Sequence, residues 1–200
     1  MAALSPAPAP VPVSTPPRTP ASGVTLIPDA LTPEQQAEVW AALYSHPFTT
    51  VGGRRVQHWG HRYDYVRKRT APAPPFPPHL AQLAAAINAR LPEAERRAWD
   101  QCIVNEYRPG QGIAWHTDAP CFGDTIACFV LLSPGTPPSP MEFRLGGWVE
   151  AVAPPAGSLY LMRGHSRAPA QHRMPPLKAP AGAPTPTRIS ITFRTVETPT

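Results

Sequence analysis

Three residues of the chain could together hold one metal ion: His116, Asp118 and His172. A single residue separates His116 from Asp118, so both side chains point to one face if the backbone is extended. Two imidazoles and one carboxylate form the ligand set that binds non-haem Fe(II) and leaves coordination positions open. A His and an Asp at this spacing also occur on ordinary surfaces, so the pattern depends on the elements that would position it.

A second group of polar residues lies on the strand predicted over residues 188–194, RISITFR. The alternation of this segment places four polar residues on one face, namely Arg188, Ser190, Thr192 and Arg194. If this face lines a pocket, the two guanidinium groups need anionic partners, because a buried unpaired charge is strongly unfavourable. A dicarboxylic acid would supply both partners. If only the apolar face is buried, both arginines are solvated surface groups.

Composition is consistent with one globular domain of 200 residues, 42% of them hydrophobic, in which 31 prolines restrict long helices. Three cysteines without a CxxC pair indicate neither a disulfide framework nor a structural zinc site. No apolar run of about 18 residues predicts a membrane helix, and no secretory signal is expected. We therefore expect a cytoplasmic protein, with a nuclear or organellar location left open. The net charge of +5 favours a polyanionic partner.

The chain divides into a tail and one domain. Residues 1–22 are rich in proline and alanine and nearly free of charged and aromatic residues, so they are expected to be disordered. The domain is predicted to occupy residues 23–200.

Helices are predicted near the start of this domain. The first begins at Pro33, with Thr32 as N-cap and Gln35 as its capping-box partner. Its apolar face is expected to contain Ala37, Trp40, Ala41 and Tyr44.

A second helix is predicted over residues 79–91, with a buried stripe. From Cys102 onward, six short apolar or alternating runs predict strands of a β sandwich or barrel. Residues 164–187 are rich in Pro, Gly and Ala and predict a long loop that contains His172.

Taken in order, the motifs NEY, HTD, GSLYLMRGHSR, His172 and RISITFR resemble the AlkB family of Fe(II)- and 2-oxoglutarate-dependent dioxygenases, over about residues 55 to 196. The resemblance implies a mainly β fold with flanking helices, in which a double-stranded β-helix (jelly-roll) core carries an N-terminal nucleotide-recognition lid. It also implies Fe(II) as cofactor, with 2-oxoglutarate and O2 as cosubstrates. The expected activity is oxidative dealkylation or hydroxylation of modified bases in DNA or RNA, in repair or in tRNA modification.

The resemblance also implies roles for single residues. His116, Asp118 and His172 match the iron ligands. Ser190 stands where several relatives have Asn. The residues implied to bind 2-oxoglutarate are Asn105, Tyr107, Arg188, Ser190 and Arg194, of which Arg188 matches the arginine that holds the distal carboxylate.

Residues 54–69 carry six of the 18 Lys and Arg residues of the chain against one acid, Asp64, with aromatic residues between them. Cations neutralise phosphates and aromatic faces stack on unpaired bases, so this composition suits single-stranded or flipped nucleic acid. The alternative is a solvated hairpin whose tyrosines pack on the barrel. The residues expected to contact the substrate are Trp59, Arg62, Tyr63 and Tyr65.

The segment after HTD leaves the substrate open. Pro120 stands where base-selective bacterial repair enzymes of the family place an Asp, and it offers no side chain to read a base edge. APCFGDTI looks closer to the branch that includes tRNA wobble-uridine hydroxylases. Arg167 either contacts substrate or positions its loop. The protein is expected to act as a monomer on nucleic acid, without a membrane; the alternatives are the same chemistry on a protein or small molecule, or a non-catalytic basic nucleic-acid-binding module.

Overall fold

A computed structural model describes residues 19–64, 67–178 and 187–197 of the chain. Most of the predicted tail, residues 1–18, lies outside the described residues. Residues 19–22 form a turn that is bound to the domain: the backbone N–H of Ala21 donates to Glu150 (2.8 Å), and Ser166 Oγ donates to the carbonyl of Pro20 (2.9 Å).

Helix α1 (Pro33–Tyr44) begins as the sequence predicts. The side chain of Thr32 accepts from the backbone of Gln35, and the Gln35 side chain accepts in return from the backbone of Thr32, so the capping box is confirmed. The predicted apolar face is wrong, because Val39 and Leu43 point into the core. Three of the residues expected there, Ala37, Ala41 and Tyr44, are exposed, and Trp40 is half-buried.

Helix α2 (Pro78–Asn88) confirms the predicted buried stripe, since Leu80, Leu83 and Ile87 are all buried. The helix ends before Leu91, which is nevertheless buried in the same cluster. A short helix α3 (Gly164–Arg167) follows much later in the chain.

The described strands form two large antiparallel sheets and one hairpin. All six strands predicted from residue 102 onward are present. Numbered along the chain, the strands of the larger sheet are, in spatial order, β1 (Val24–Ile27), β11 (Leu159–Met162), β8 (Ile126–Leu132), β13 (Arg188–Arg194), β6 (Gln101–Tyr107), β3 (Arg54–Trp59) and β2 (Thr49–Val51). The smaller sheet contains β10 (Trp148–Val152), β9 (Met141–Leu145), β12 (Gln171–Met174) and β7 (Ile113–His116), and the hairpin contains β4 (His61–Asp64) and β5 (Arg69–Pro72).

Strand β13 is buried on both faces at the centre of the larger sheet. Its apolar residues, among them Ile191 and Phe193, pack in the cluster that includes side chains of α1 and α2. Its polar face points into the space between the two sheets, where a second cluster includes Phe143 and Met174. The polar face is therefore interior, and Arg188 is fully buried. The mainly β jelly-roll fold with flanking helices is confirmed.

The segment of residues 164–187 is not one long loop, which corrects the prediction. It contains α3 and β12, and β12 places His172 opposite Phe143 of β9 on one side and opposite His116 of β7 on the other. Pairing on both sides stabilises this short strand despite the prolines that follow it. In the described ranges, no helix is long and apolar enough to cross a membrane.

Candidate metal and cosubstrate site

The three predicted metal ligands come together between the two sheets. His116 ends β7 and is the cross-strand partner of His172, so their ring centroids lie 4.3 Å apart. Asp118 follows two residues after β7, and its Oδ2 lies 3.7 Å from Nε2 of His172. One ligand atom from each residue lies within 4.8 Å of the other two. A strand pair therefore supplies the two imidazoles and the adjoining turn supplies the carboxylate.

The buried carboxylate of Asp118 is held in its charged form. Burial by itself raises the Asp118 pKa, but opposing positive charge, above all that of Arg194, outweighs burial, and the pKa lies below its ordinary value. Oδ1 accepts a 2.6 Å hydrogen bond from Nη2 of Arg194. Oδ2 is buried, and the described residues offer it no hydrogen-bond donor. One oxygen is therefore oriented by the protein and the other is available to a cation.

The two imidazoles are suited to the same ion. Burial lowers the pKa of His172 to about 4, so this ring is neutral and keeps a lone pair at neutral pH. Nδ1 of His116 lies 2.8 Å from the carbonyl oxygen of Ala114, which can only accept, so Nδ1 carries a proton and Nε2 is the ring nitrogen left for a metal. Two imidazoles and an ionised carboxylate with one unpaired buried oxygen are the donor set that fits Fe(II).

Arg167 fixes the turn that carries Asp118. Its buried guanidinium donates to four backbone carbonyls, those of Asp118 (3.1 Å), Ala119 (3.0 Å), Phe122 (2.7 Å) and Gly123 (2.9 Å). This decides the alternative left open by the sequence, since the side chain positions the loop. Spacing could not reveal the role, because the contact spans 44 to 49 residues of sequence.

Arg188 is a buried cation without a carboxylate partner in the described structure. Its Nη1 donates to the carbonyl of Ser139 at 2.9 Å, while Nε and Nη2 lack partners among the described residues. Tyr107 lies opposite it on β6. A fully buried guanidinium with two unpaired donors is unfavourable unless an anion binds there. The residues therefore fit a carboxylate of 2-oxoglutarate.

Arg188 and Arg194 occupy opposite ends of the polar face of β13. Arg194 donates hydrogen bonds to Oδ1 of Asp118 and to Oε1 of Gln101 (3.0 Å). Asn105 lies opposite Ser190, and its Oδ1 is buried without a described partner. A small cavity reaches the metal ligands, and its polar lining includes Asn105, Tyr107, His116, Asp118, His172, Ser190, Thr192 and Arg194.

A larger cavity of about 510 Å³ opens beside the metal ligands. Tyr63, one of the residues expected to contact substrate, lines it, with its ring centroid 5.8 Å from that of Phe122. Arg62 is exposed and lies near His58. The pKa of His58 is lowered, mainly because the ring is buried and secondly because of the positive charge of Arg62. Tyr65 lies outside the described residues. Arg54, His58 and Lys68 also line the cavity, although they were not among the individual residues expected to contact substrate.

The alternation of β3 decides which of its residues reach this cavity. Arg54 and His58 face it, whereas Arg55 and Trp59 lie on the opposite face. Arg55 pairs with the buried Glu106 (2.8 Å), and the ring of Trp59 packs 5.0 Å from that of His46. The structure therefore does not bring Trp59 to this cavity, because its place in the strand directs it toward the helices.

Comparison with known proteins agrees with this geometry. The profile of the 2OG-Fe(II) oxygenase superfamily matches residues 23–194. Protein L905 of Acanthamoeba polyphaga mimivirus is 30% identical over 190 residues, 88% of this chain and 85% of the relative. The alkylated DNA repair protein ALKBH8 homolog of Arabidopsis thaliana is 32% identical over 130 residues, 61% of this chain but 36% of the relative. The probable RNA/DNA demethylase ALKBH6 of Danio rerio is 30% identical over 106 residues, 52% of this chain and 44% of the relative.

Solved structures share the fold at low sequence identity. The structure of OsALKBH1 superposes with a TM-score of 0.65 at 18% identity, over 86% of this chain and 96% of that one. A Trichoplax adhaerens prolyl hydroxylase in complex with a peptide fragment gives 0.62 at 16% identity, over 88% and 84%. With the triad and the buried arginines in place, the chain belongs to the 2OG-Fe(II) oxygenase superfamily and is an AlkB-like dioxygenase that uses Fe(II), 2-oxoglutarate and O2.

Proposed function

We propose that this enzyme hydroxylates or oxidatively dealkylates a modified base in nucleic acid. The observation that carries the proposal is the cavity beside the metal triad, which combines cationic side chains with aromatic rings. Its volume of about 510 Å³ is sufficient for a nucleobase.

The cations of this cavity suit a phosphate backbone. Arg54 donates to the carbonyl of Gly112 (2.9 Å) and lies 5.5 Å from the ring centroid of Tyr107, so its guanidinium is held at the cavity wall. Lys68 adds a second positive charge at the same cavity. Such groups neutralise phosphates, which is the main sequence-independent contribution to nucleic-acid affinity.

The aromatic residues suit an unstacked base. Tyr63 and Phe122 present neighbouring rings that lie between the β4–β5 hairpin and the metal-binding turn. An extruded base gains stacking energy on such rings whatever its identity. We propose that β3 and the β4–β5 hairpin form the nucleotide-recognition lid, with Tyr63, Arg62 and His58 nearest to the base.

The names of relatives support a nucleic-acid substrate. Two of them carry names that refer to alkylated DNA repair and to RNA/DNA demethylation. In this chain, Pro120 is exposed and lies on a different surface beside Arg167, whereas Ala119 lines the substrate cavity. Polar contacts to a base edge therefore come from the lid side of the cavity, where His58 and Tyr63 lie.

The chain's own residues prepare the reaction. Arg188 binds the distal carboxylate of 2-oxoglutarate, with Asn105, Tyr107 and Ser190 lining its path, and Arg194 orients the carboxylate of Asp118. When bound, Fe(II) supplies the oxidation chemistry in which O2 and 2-oxoglutarate yield succinate, carbon dioxide and a hydroxylated substrate carbon. If that carbon is attached to a base nitrogen, the hydroxylated product releases an aldehyde and the free base.

Mass spectrometry of nucleosides tests the proposal. tRNA, messenger RNA and DNA are incubated with the enzyme, Fe(II) and 2-oxoglutarate, and each is compared with an Asp118→Ala control. We expect one modified nucleoside to decrease, or a hydroxylated one to appear, only with the wild type. Succinate formation that responds to a polypeptide or a metabolite, with no nucleoside changed, would instead assign the same chemistry to a protein or small molecule. Light scattering tests the accompanying proposal that the enzyme acts as a monomer.

A further inference from the structure

The outer face of the smaller sheet carries a stack of one tryptophan and two arginines. Trp115 directly precedes the metal ligand His116 on β7, so the alternation of the strand places its side chain on the opposite face from His116. The guanidinium carbons of Arg144 on β9 and Arg173 on β12 each lie 4.6 Å from the centroid of the Trp115 ring. Stacking on an aromatic face restricts a guanidinium while its N–H edges remain able to bind an anion.

The two arginines differ in their charge environment. Arg173 pairs with Glu142 at 2.6 Å, so its charge is largely neutralised. Arg144 donates its Nε to the neutral amide of Gln171 at 2.8 Å, and among the ion pairs of the described residues none involves Arg144. The guanidinium of Arg144 is therefore held in place, and no acidic residue of the described structure neutralises its positive charge.

A second aromatic residue lies close by, at the end of the β9–β10 hairpin. The two-residue connection, Gly146 and Gly147, has φ values of +56° and +86°, which suit a tight hairpin turn that only glycine adopts easily. Trp148 follows this turn and pairs with Leu145, yet 72% of its surface is exposed. A large aromatic ring that is held on a tight hairpin and left open to solvent indicates a binding surface.

The hairpin and the arginine border a cavity of about 630 Å³ that adjoins the active site. Its lining includes Arg144, Trp148, Pro169 and Gln171, together with Thr117. Thr117 lies between the metal ligands His116 and Asp118 in the sequence and also lines the substrate cavity. A chain that enters the substrate cavity can therefore continue across Thr117 to this surface.

We propose that Trp148 and Arg144 bind the single-stranded nucleic acid that flanks the modified nucleotide. One neighbouring base stacks on Trp148, and a backbone phosphate binds the guanidinium of Arg144. The inference rests on the proposed nucleic-acid function and extends it from the reacting base to the adjoining strand. Single-stranded nucleic acid is bound by a cation for the phosphate together with an open aromatic ring for the base. Arg144 and Trp148 provide these two groups at the cavity that shares Thr117 with the substrate cavity.

Fluorescence anisotropy with the full-length protein tests this surface. The probes are fluorescein-labelled 12-nucleotide single strands of mixed sequence, one of RNA and one of DNA. The variants are Trp148→Ala, Arg144→Gln and their combination, with Arg96→Gln as the matched control, because Arg96 is an exposed arginine that lines neither cavity. We expect the double variant to weaken binding by about 10-fold or more, Arg144→Gln to reduce the salt dependence by about one ion, and Arg96→Gln to change neither.

A parallel variant of the substrate cavity, Arg54→Ala, separates the two proposals. If Arg54→Ala weakens binding and the double variant does not, nucleic acid remains the substrate and the inference about Trp148 and Arg144 is overturned. If the wild type binds neither probe, both proposals are rejected. If light scattering shows a dimer that Trp148→Ala dissociates, a second copy of the chain covers this surface and the inference is again overturned.

Discussion

Arg194 and Asp118 are joined by a 2.6 Å hydrogen bond between Nη2 and Oδ1, which links the central strand of the larger sheet to the metal-binding turn. The bond leaves Oδ2 of the same carboxylate for the metal, and it contributes to the lowered pKa of Asp118. The arginine thus orients a ligand and keeps it ionised.

Replacing Arg194 should therefore weaken metal binding. In Arg194→Met the carboxylate of Asp118 loses its orienting donor, and loss of such a partner typically costs 10- to 100-fold in metal affinity, so we expect a loss of about that size. Anaerobic calorimetric titration with Fe(II) measures it. Arg194→Lys should recover part of the affinity, since it restores the charge without the planar geometry. Unchanged affinity in Arg194→Met would show that the hydrogen bond does not support the site.

Replacing Arg188 should stabilise the protein and at the same time weaken its use of 2-oxoglutarate. Arg188→Met removes a buried charge that has no acidic partner in the described structure, so the protein without cosubstrate should become more stable by about 1–3 kcal/mol. The same change should raise the KM for 2-oxoglutarate by about 100-fold or more, because a charge-assisted pair is lost. Urea unfolding and succinate assays measure the two effects.

Metal titration of Arg188→Met supplies the control for both arginines, because this variant should bind Fe(II) with wild-type affinity. If its KM for 2-oxoglutarate is unchanged, the proposed contact with the distal carboxylate is refuted.

Replacing Arg167 should destabilise the protein and loosen the metal site together. Arg167→Met leaves four backbone carbonyls without their buried donor, at a cost of about 3 kcal/mol or more in the free energy of unfolding. The turn that carries Asp118 should then bind Fe(II) less tightly. Urea unfolding reports the first effect and metal titration the second. A loss of stability with full metal affinity would show that the turn holds its shape without Arg167.

The stability of the metal-free protein should fall as pH is lowered from about 6.5 to about 4. His172 has a folded-state pKa of about 4, below its ordinary value, so in this range the unfolded chain binds a proton that the folded chain does not. Unfolding is therefore favoured as pH falls, by up to about 3 kcal/mol over the range. Urea unfolding at a series of pH values measures this loss. His172→Gln should show a flatter dependence over the same range, and an equally steep one would assign the effect to other groups.

The sequence by itself determined the chemistry and most of the elements. The ligand types at 116, 118 and 172, the alternation of residues 188–194 and the capping box at Thr32 are local patterns, and local patterns depend on backbone geometry that neighbouring residues decide. For the same reason the strands from residue 102 onward and the buried stripe of α2 could be predicted.

Only the tertiary structure decided which faces are used. Both faces of β13 are buried because a helix layer covers one and the smaller sheet covers the other, which periodicity cannot reveal. The register of β3 with β6 places the side chain of His58 in the substrate cavity and that of Trp59 on the opposite face of the sheet. His172 is placed by strands paired with it from distant parts of the chain, and Arg167 by carbonyls at least 44 residues away. Contacts between distant segments form only when the sheets close, so they are properties of the fold.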